Sequence, residues 1–176
     1  MKSVIYIAGF ACLLIACAEN TAGKEEKPWW DMKLQERYEI NLLTAATYDV
    51  KNYDAFGYKT RTVSDSLITV GDSYPDEEDR LRHYAILSVA INKVRRLIHK
   101  ELFNQASRAS NLESILRRTD HLMGMRKLGE MNADAGYHFK KVHHYSVVEK
   151  NERLLRFHTL KLRDYLLDLI AYPSRY

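Results

Sequence analysis

The chain has 176 residues, 46% of them hydrophobic and 28% charged, with a net charge of +4. These proportions are ordinary for a domain that folds in water, and a body of this size buries roughly 68–70% of the surface its unfolded chain exposes. With only two cysteines, a fold that depends on disulfide staples is excluded, and the core must hold the domain by itself.

The first segment reads as a targeting signal. Lys2 supplies one positive charge, and residues 4–16 form an apolar run that stops before Glu19 and Asn20. Such a run matches the charged and apolar regions of an exported precursor and falls short of the roughly 20 apolar residues that span a bilayer. It closes with Leu14-Ile15-Ala16-Cys17, which resembles the lipobox of bacterial lipoprotein signal peptides. The resemblance covers residues 1–17 and concerns processing and address. It implies a diacylglyceryl group on the Cys17 thiol, removal of residues 1–16 and acylation of the new amino terminus. Ala16 and Ala18 would also suit an ordinary secretory cleavage site. Cys12 lies in the discarded run, so Cys17 would be the sole cysteine of the mature chain, and the covalent lipid is the only added group expected. At about 0.8 kcal/mol per buried methylene, two or three acyl chains give stable attachment without a spanning helix. By the same resemblance, alanine rather than aspartate at position 18 implies the outer membrane, while Glu19, Glu25 and Glu26 loosely resemble acidic surface-export signals. The periplasmic and surface faces both stay open.

Residues 17–30 read as a lipidated tether, polar and without apolar period, ending in Trp29-Trp30. The two indoles suit either the lipid interface or packing over one end of the domain. Residues 31–176 then read as a single helical domain. Apolar spacing predicts a helix over 31–55, started by Asp31 and stopped at Gly57. Residues 58–71 are rich in β-branched types and fit either a small β-hairpin or a short helix. The helix is the better reading, because no other strand is available to pair with. A long helix is expected over 76–105, opened by an acidic first turn. Another is expected over 111–127, with Gly124, Gly129 and Gly136 making the stretch to about 136 a bend or break, since glycine costs a helix roughly 1 kcal/mol. The last is expected over 137–172. Several amphipathic helices without a sheet must bury their stripes on one another, which predicts an all-α bundle of about four helices.

Charge is divided along the chain. Residues 18–92 hold nine Lys/Arg against fourteen Asp/Glu, and residues 93–163 hold sixteen against seven. The two halves either neutralise each other in the fold or present a surface for an anionic partner, with Arg95, Arg96, Lys100, Arg117, Arg118, Arg126, Lys127, Lys140 and Lys141 as its candidates. Nucleic acid fits electrostatically but not the expected compartment.

Dedicated chemistry is not visible. The seven histidines lack the i, i+3 or i+4 spacing of a helical metal site, and single ones such as His83, His99 and His158 read as packed or surface residues. No serine sits in a Gly-x-Ser-x-Gly elbow, and no glycine-rich phosphate loop occurs. Tyr38, Tyr48, Tyr53, Tyr58, Tyr74 and Tyr84 could line a binding face or edge the core. The expectation is a lipid-anchored envelope protein without catalysis, holding a protein partner as a structural or assembly component of a secretion, pilus or similar machine. The alternative is a surface lipoprotein binding host or environmental ligands such as acidic glycans.

Overall fold

The computed structural model describes residues 31–52, 57–112 and 118–172, with the side chains of 105–124 left aside. These residues form α1 (Met32–Asn52), α2 (Tyr58–Asp72), α3 (Glu77–Leu112), α4 (Arg118–His143), a π-helical turn (His144–Val148) and α5 (Glu152–Ala171). The fold is an all-α bundle. No strand occurs among the described residues, so the hairpin reading of 58–71 gives way to a helix.

Asp31 starts α1 as the sequence suggests, its carboxylate accepting from the Leu34 amide at 2.9 Å. The far end of α1 starts α2. Buried Asp49 accepts from the Lys59 amide at 3.2 Å, the Thr60 amide at 2.8 Å and the Thr60 hydroxyl at 2.7 Å. That carboxylate satisfies the orphan donors of the first turn. The chain enters through Gly57 at φ 81°, where an added Cβ would also lie 3.3 Å from a Leu167 methyl. Thr62, Ser66 and Thr69 turn their hydroxyls back to the carbonyls four residues earlier, which satisfies those hydroxyls within the helix.

The centre of the bundle is α3. From Leu81 to Ile98 it is buried almost all round, through Tyr84, Ala85, Ile86, Leu87, Ala90, Ile91 and Val94. It runs parallel to α5 and in step with it: Arg80 pairs with Glu152 at 2.9 Å, Tyr84 meets Arg156, and Ser88 meets the Thr159 hydroxyl at 2.7 Å. The α4 helix returns antiparallel, joined by Arg95 to Asn132 and by His99 to the Leu128 carbonyl. Along the other flank of α5, α2 lies antiparallel, with Asp72 on Arg156 and Asp65 on Arg163. Carried on at this register, the end of α5 comes level with about residue 99 of α3. The last 13 residues of α3 and the first part of α4 therefore stand about 20 Å beyond it.

Two expected boundaries are corrected. The long third helix continues through the expected gap at 106–110 to Leu112, and residues 113–117 of the next expected helix lie outside the described residues. The expected break at 128–136 is absent: α4 runs through Gly129 and Gly136, because Leu128, Met131, Ala135 and Val142 are all buried along it. Packing of that stripe outweighs two glycine penalties of about 1 kcal/mol each. The chain reverses instead inside what was expected to be one helix over 137–172. The π turn widens the end of α4, with the Glu149 amide donating to the His144 carbonyl, and Lys150 takes a left-handed φ of 48°. Asn151 then caps α5, accepting from the Leu154 amide at 3.1 Å.

Beyond the backbone of their own helix, no described atom lies within 4 Å of where a Cβ would stand at Gly129 or Gly136. Gly129→Ala and Gly136→Ala are each expected to stabilise the fold by about 0.5–1 kcal/mol, read as a higher urea midpoint.

Candidate functional site

Cys17, Trp29, Trp30 and Arg117 lie outside the described residues, and so does the side chain of Arg118. The remaining basic candidates do not form one surface. Arg96 and Lys100 are exposed on α3, and Lys127 is exposed on α4. Exposed Lys140 and half-buried Lys141 lie about 20 Å further along α4. Arg126 is exposed but engaged with Glu130 at 2.9 Å. Charge also pairs across the two halves of the chain, in Lys93 with Glu39, Arg156 with Asp72 and Arg163 with Asp65.

Arg95 is a correction. It is only 2% exposed, because it shares the core stripe of Ile91, Val94, Ile98 and Leu102. Its Nε and Nη2 donate to the Asn92 Oδ1 at 3.3 and 3.0 Å, and its Nη1 donates to the Asn132 Oδ1 at 2.9 Å. Among the described residues no carboxylate pairs with it. Burial, and then the neighbouring Arg96 charge, push its pKa down to about 10. Asn132 is exposed, so the guanidinium lies just beneath the edge of the α3–α4 seam.

On the outward side of that seam, α3 carries Arg96, Lys100, Leu97 (48% exposed) and Phe103 (42% exposed). At 3.6 residues per turn these four fall within about 120° of the helix circumference. His99 stacks on Phe103 at 6.3 Å between centroids and an interplanar angle of 23°. The arc is bounded by α1, reached through Lys93 and Glu39, and by α4, reached through Asn132 and Leu128.

A second polar assembly lies where α2 ends and α5 begins. Arg156 grips both oxygens of Asp72 at 2.7 and 2.8 Å, and the Tyr84 hydroxyl donates to the same carboxylate. The Arg156 guanidinium holds the Asp72 carboxyl below its ordinary range. Burial, then the hydrogen bond to Asp72, pushes Tyr84 up to about 12. Beside it, His83 Nε2 donates to the Leu67 carbonyl at 2.8 Å, so Nδ1 accepts from the Tyr38 hydroxyl at 3.0 Å. An open cleft of about 510 Å³, lined by Glu77, Lys150, Asn151, Glu152, Arg153 and Arg156, sits over this network. A phenol held protonated and a carboxylate committed to arginine suit a clamp between helices, not a base or nucleophile at neutral pH.

The third assembly joins α4 to α5. His138 and His158 face each other with Nδ1 atoms 2.8 Å apart, one donating and one accepting. Tyr145 stacks on His158 at 5.5 Å with planes 10° apart, and Tyr165 and Phe157 border His138. Burial, then His138 and Lys141, lower the pKa of His158 to about 4. Burial and then Lys161 lower that of His138. Among the described residues no group of three His, Cys, Asp or Glu gathers as metal ligands would.

The tyrosines do not share a face. Tyr38 and Tyr84 are buried, Tyr74 is half-buried, Tyr48 and Tyr58 are exposed, and Tyr53 lies outside the described residues. Asn92 and Asn132 were not singled out in the sequence. Asn92, three residues before an arginine on a core stripe, was the available signal.

No protein-family model matches the chain, and comparison with curated proteins and with solved structures found no relative.

Proposed function

We propose that this chain is a bacterial lipoprotein, held to the outer membrane through Cys17, whose helical body binds a protein partner as a structural or assembly component of an envelope machine and carries no catalysis of its own. The observation behind the reading is the apolar run over 4–16 closing on Leu14-Ile15-Ala16-Cys17. Two features support it. The helical body starts at Met32, a short polar tether beyond that cysteine. No described helix is long and apolar enough to cross a membrane, so acyl chains would supply the attachment.

Display on the cell surface, with acidic glycans as ligand, is the other reading of the same leader and basic half. Exposed Leu97 and Phe103 among the α3 cations favour a protein partner over a glycan.

Cys17→Ser is expected to abolish incorporation of radiolabelled palmitate and to move the protein from the membrane pellet to the soluble fraction, its helical circular dichroism unchanged. Sedimentation of the variant with carbonate-washed membranes would overturn the anchor. Protease shaving of whole cells separates a periplasmic component, which is protected, from a displayed one, which is digested.

A further inference from the structure

Two neutral imidazoles that meet nitrogen to nitrogen are held by a single hydrogen, and His138 on α4 meets His158 on α5 in this way. Their Nδ1 atoms are 2.8 Å apart. Their ring centres lie 5.0 Å apart, close to that gap plus the two ring radii, so each nitrogen points at the other. Counting protons then limits the contact. A first added proton goes to the outer nitrogen of the donating ring and leaves the shared hydrogen in place. A second must go to the accepting Nδ1, and two N–H groups would then face each other across the same gap. The surroundings compensate that proton poorly. Lys141 stands one turn after His138, 5.9 Å from the ring centres of Tyr137 and Tyr145, and Lys161 of α5 stands 5.7 Å from that of Phe157. Asp134 of α4 already accepts from the Tyr165 hydroxyl of α5. The π turn brings Tyr145 and, behind it, His144 paired with Glu149. From α3 come the uncharged Ser88, bonded to Thr159, and Arg95, held at Asn132 about 9 Å along α4 from His138.

We propose that the His138–His158 contact is an acid-operated latch: while one hydrogen is shared it holds the end of α4 and the π turn on α5, and the second proton releases them without unfolding the bundle. Half-buried His138 swings toward water. His158 is only 6% exposed and lies under Tyr145, which stacks on it at 5.5 Å. The Tyr145 carbonyl accepts from the Asn151 amide at 2.9 Å, so the departure of Tyr145 carries the chain reversal with it. The rest of α4 stays seated through buried Leu128, Met131 and Ala135, which keeps the release local. It uncovers the rings beside Tyr137 and Phe157, which are already exposed. Burial, then His138 and Lys141, hold the latched His158 at a pKa of about 4, against 6.5 once free. Between pH 7.5 and pH 4 the open form therefore gains about 100-fold on the closed one. The inference is independent of both the lipid anchor and the protein partner.

The test is an NMR titration of the isotope-labelled full chain carrying Cys17→Ser, from pH 7.5 to pH 4. At pH 7.5 the imidazole nitrogens are expected to show one ring of the pair as the Nδ1–H tautomer and the other as the Nε2–H tautomer. Toward pH 4 the Tyr145 ring and the backbone amides of 144–151 should move together with both imidazoles. The methyl groups of Leu42, Ile68 and Ile91 should keep their shifts. In His138→Gln the acid response of Tyr145 should vanish, because an amide turns its oxygen to a protonated His158 as readily as its N–H to a neutral one. Lys161→Glu, at an exposed position, should lower the release midpoint by about half a pH unit, since the added carboxylate favours the doubly charged closed pair. A merely structural contact would lose stability in these variants without moving the midpoint. The same tautomer on both rings at pH 7.5 overturns the proposal. So does a Tyr145 that stays in place to pH 4, or that moves only when Leu42, Ile68 and Ile91 move as well. An unchanged acid response in His138→Gln overturns it too.

Discussion

Gly71→Ala is expected to cost the fold about 3 kcal/mol, although the same change in an exposed helix is stabilising. Gly71 is buried in the last turn of α2. A Cβ there would fall 2.5 Å from Cδ2 and 2.9 Å from Nε2 of His83, and 3.1 Å from Cε1 of Tyr84. The imidazole has nowhere to go. Both ring nitrogens are bonded, to Tyr38 and to the Leu67 carbonyl, and the rings of Tyr38, Tyr74 and Tyr84 surround it at 5.4–5.6 Å between centroids. The α2 helix must move off α3, and the Asp72 contacts with Tyr84 and Arg156 move with it. Urea denaturation should show a much lower midpoint than the parent. Gly71→Ala/His83→Ala should lose less than the sum of the two single changes, because the second removes the obstacle to the first. A single variant within 0.5 kcal/mol of the parent would refute the close packing of α2 on His83.

Acidification is expected to weaken the bundle well before carboxylates are neutralised. His158 has a folded pKa near 4 against an ordinary 6.5, so the unfolded chain binds more protons between those values. Its contribution is therefore complete above about pH 6.5 and is lost as pH falls toward 4. Between pH 7.5 and pH 5 this residue alone should remove about 2 kcal/mol. His83, His99 and His138 are also held below their ordinary values, chiefly by burial, and act in the same direction. Asp72, held low by Arg156, adds its loss only at lower pH. Urea midpoints at pH 7.5 and pH 5 measure the total. The His158 ring resonance should stay in its neutral position down to pH 5. Equal midpoints at the two pH values would contradict the linkage.

The first and third helices were legible because their signals are local, whereas residues 58–71 suited a hairpin as well as a helix. Asp31 caps, the stripe from Leu81 to Leu102 repeats with helical period, and the acidic turn at Glu77, Glu78 and Asp79 suits a helix start. The α4–α5 boundary was misread because glycine was weighed as a breaker without the packing that overrides it. The better signal was Asn151 followed by Glu152, a cap residue and an acidic first turn. Arg95 was misplaced for a related reason. Its position on the stripe with Ile91 and Ile98 pointed inward, but the adjacent Arg95-Arg96 pair looked like a solvated face. The His138–His158 contact joins residues 20 apart across a chain reversal, and no spacing rule reaches it.

The parallel register of α3 and α5 has a consequence for how the protein is made. Ser88 and Thr159 meet although 71 residues separate them, so the apolar flank of the central helix waits for the final segment to leave the ribosome. At roughly 5–20 residues per second that delay is about 4–14 s. Throughout it the nascent chain exposes the flank of Tyr84 and Ser88 without its eventual covering, and it is then that a chaperone has most to offer.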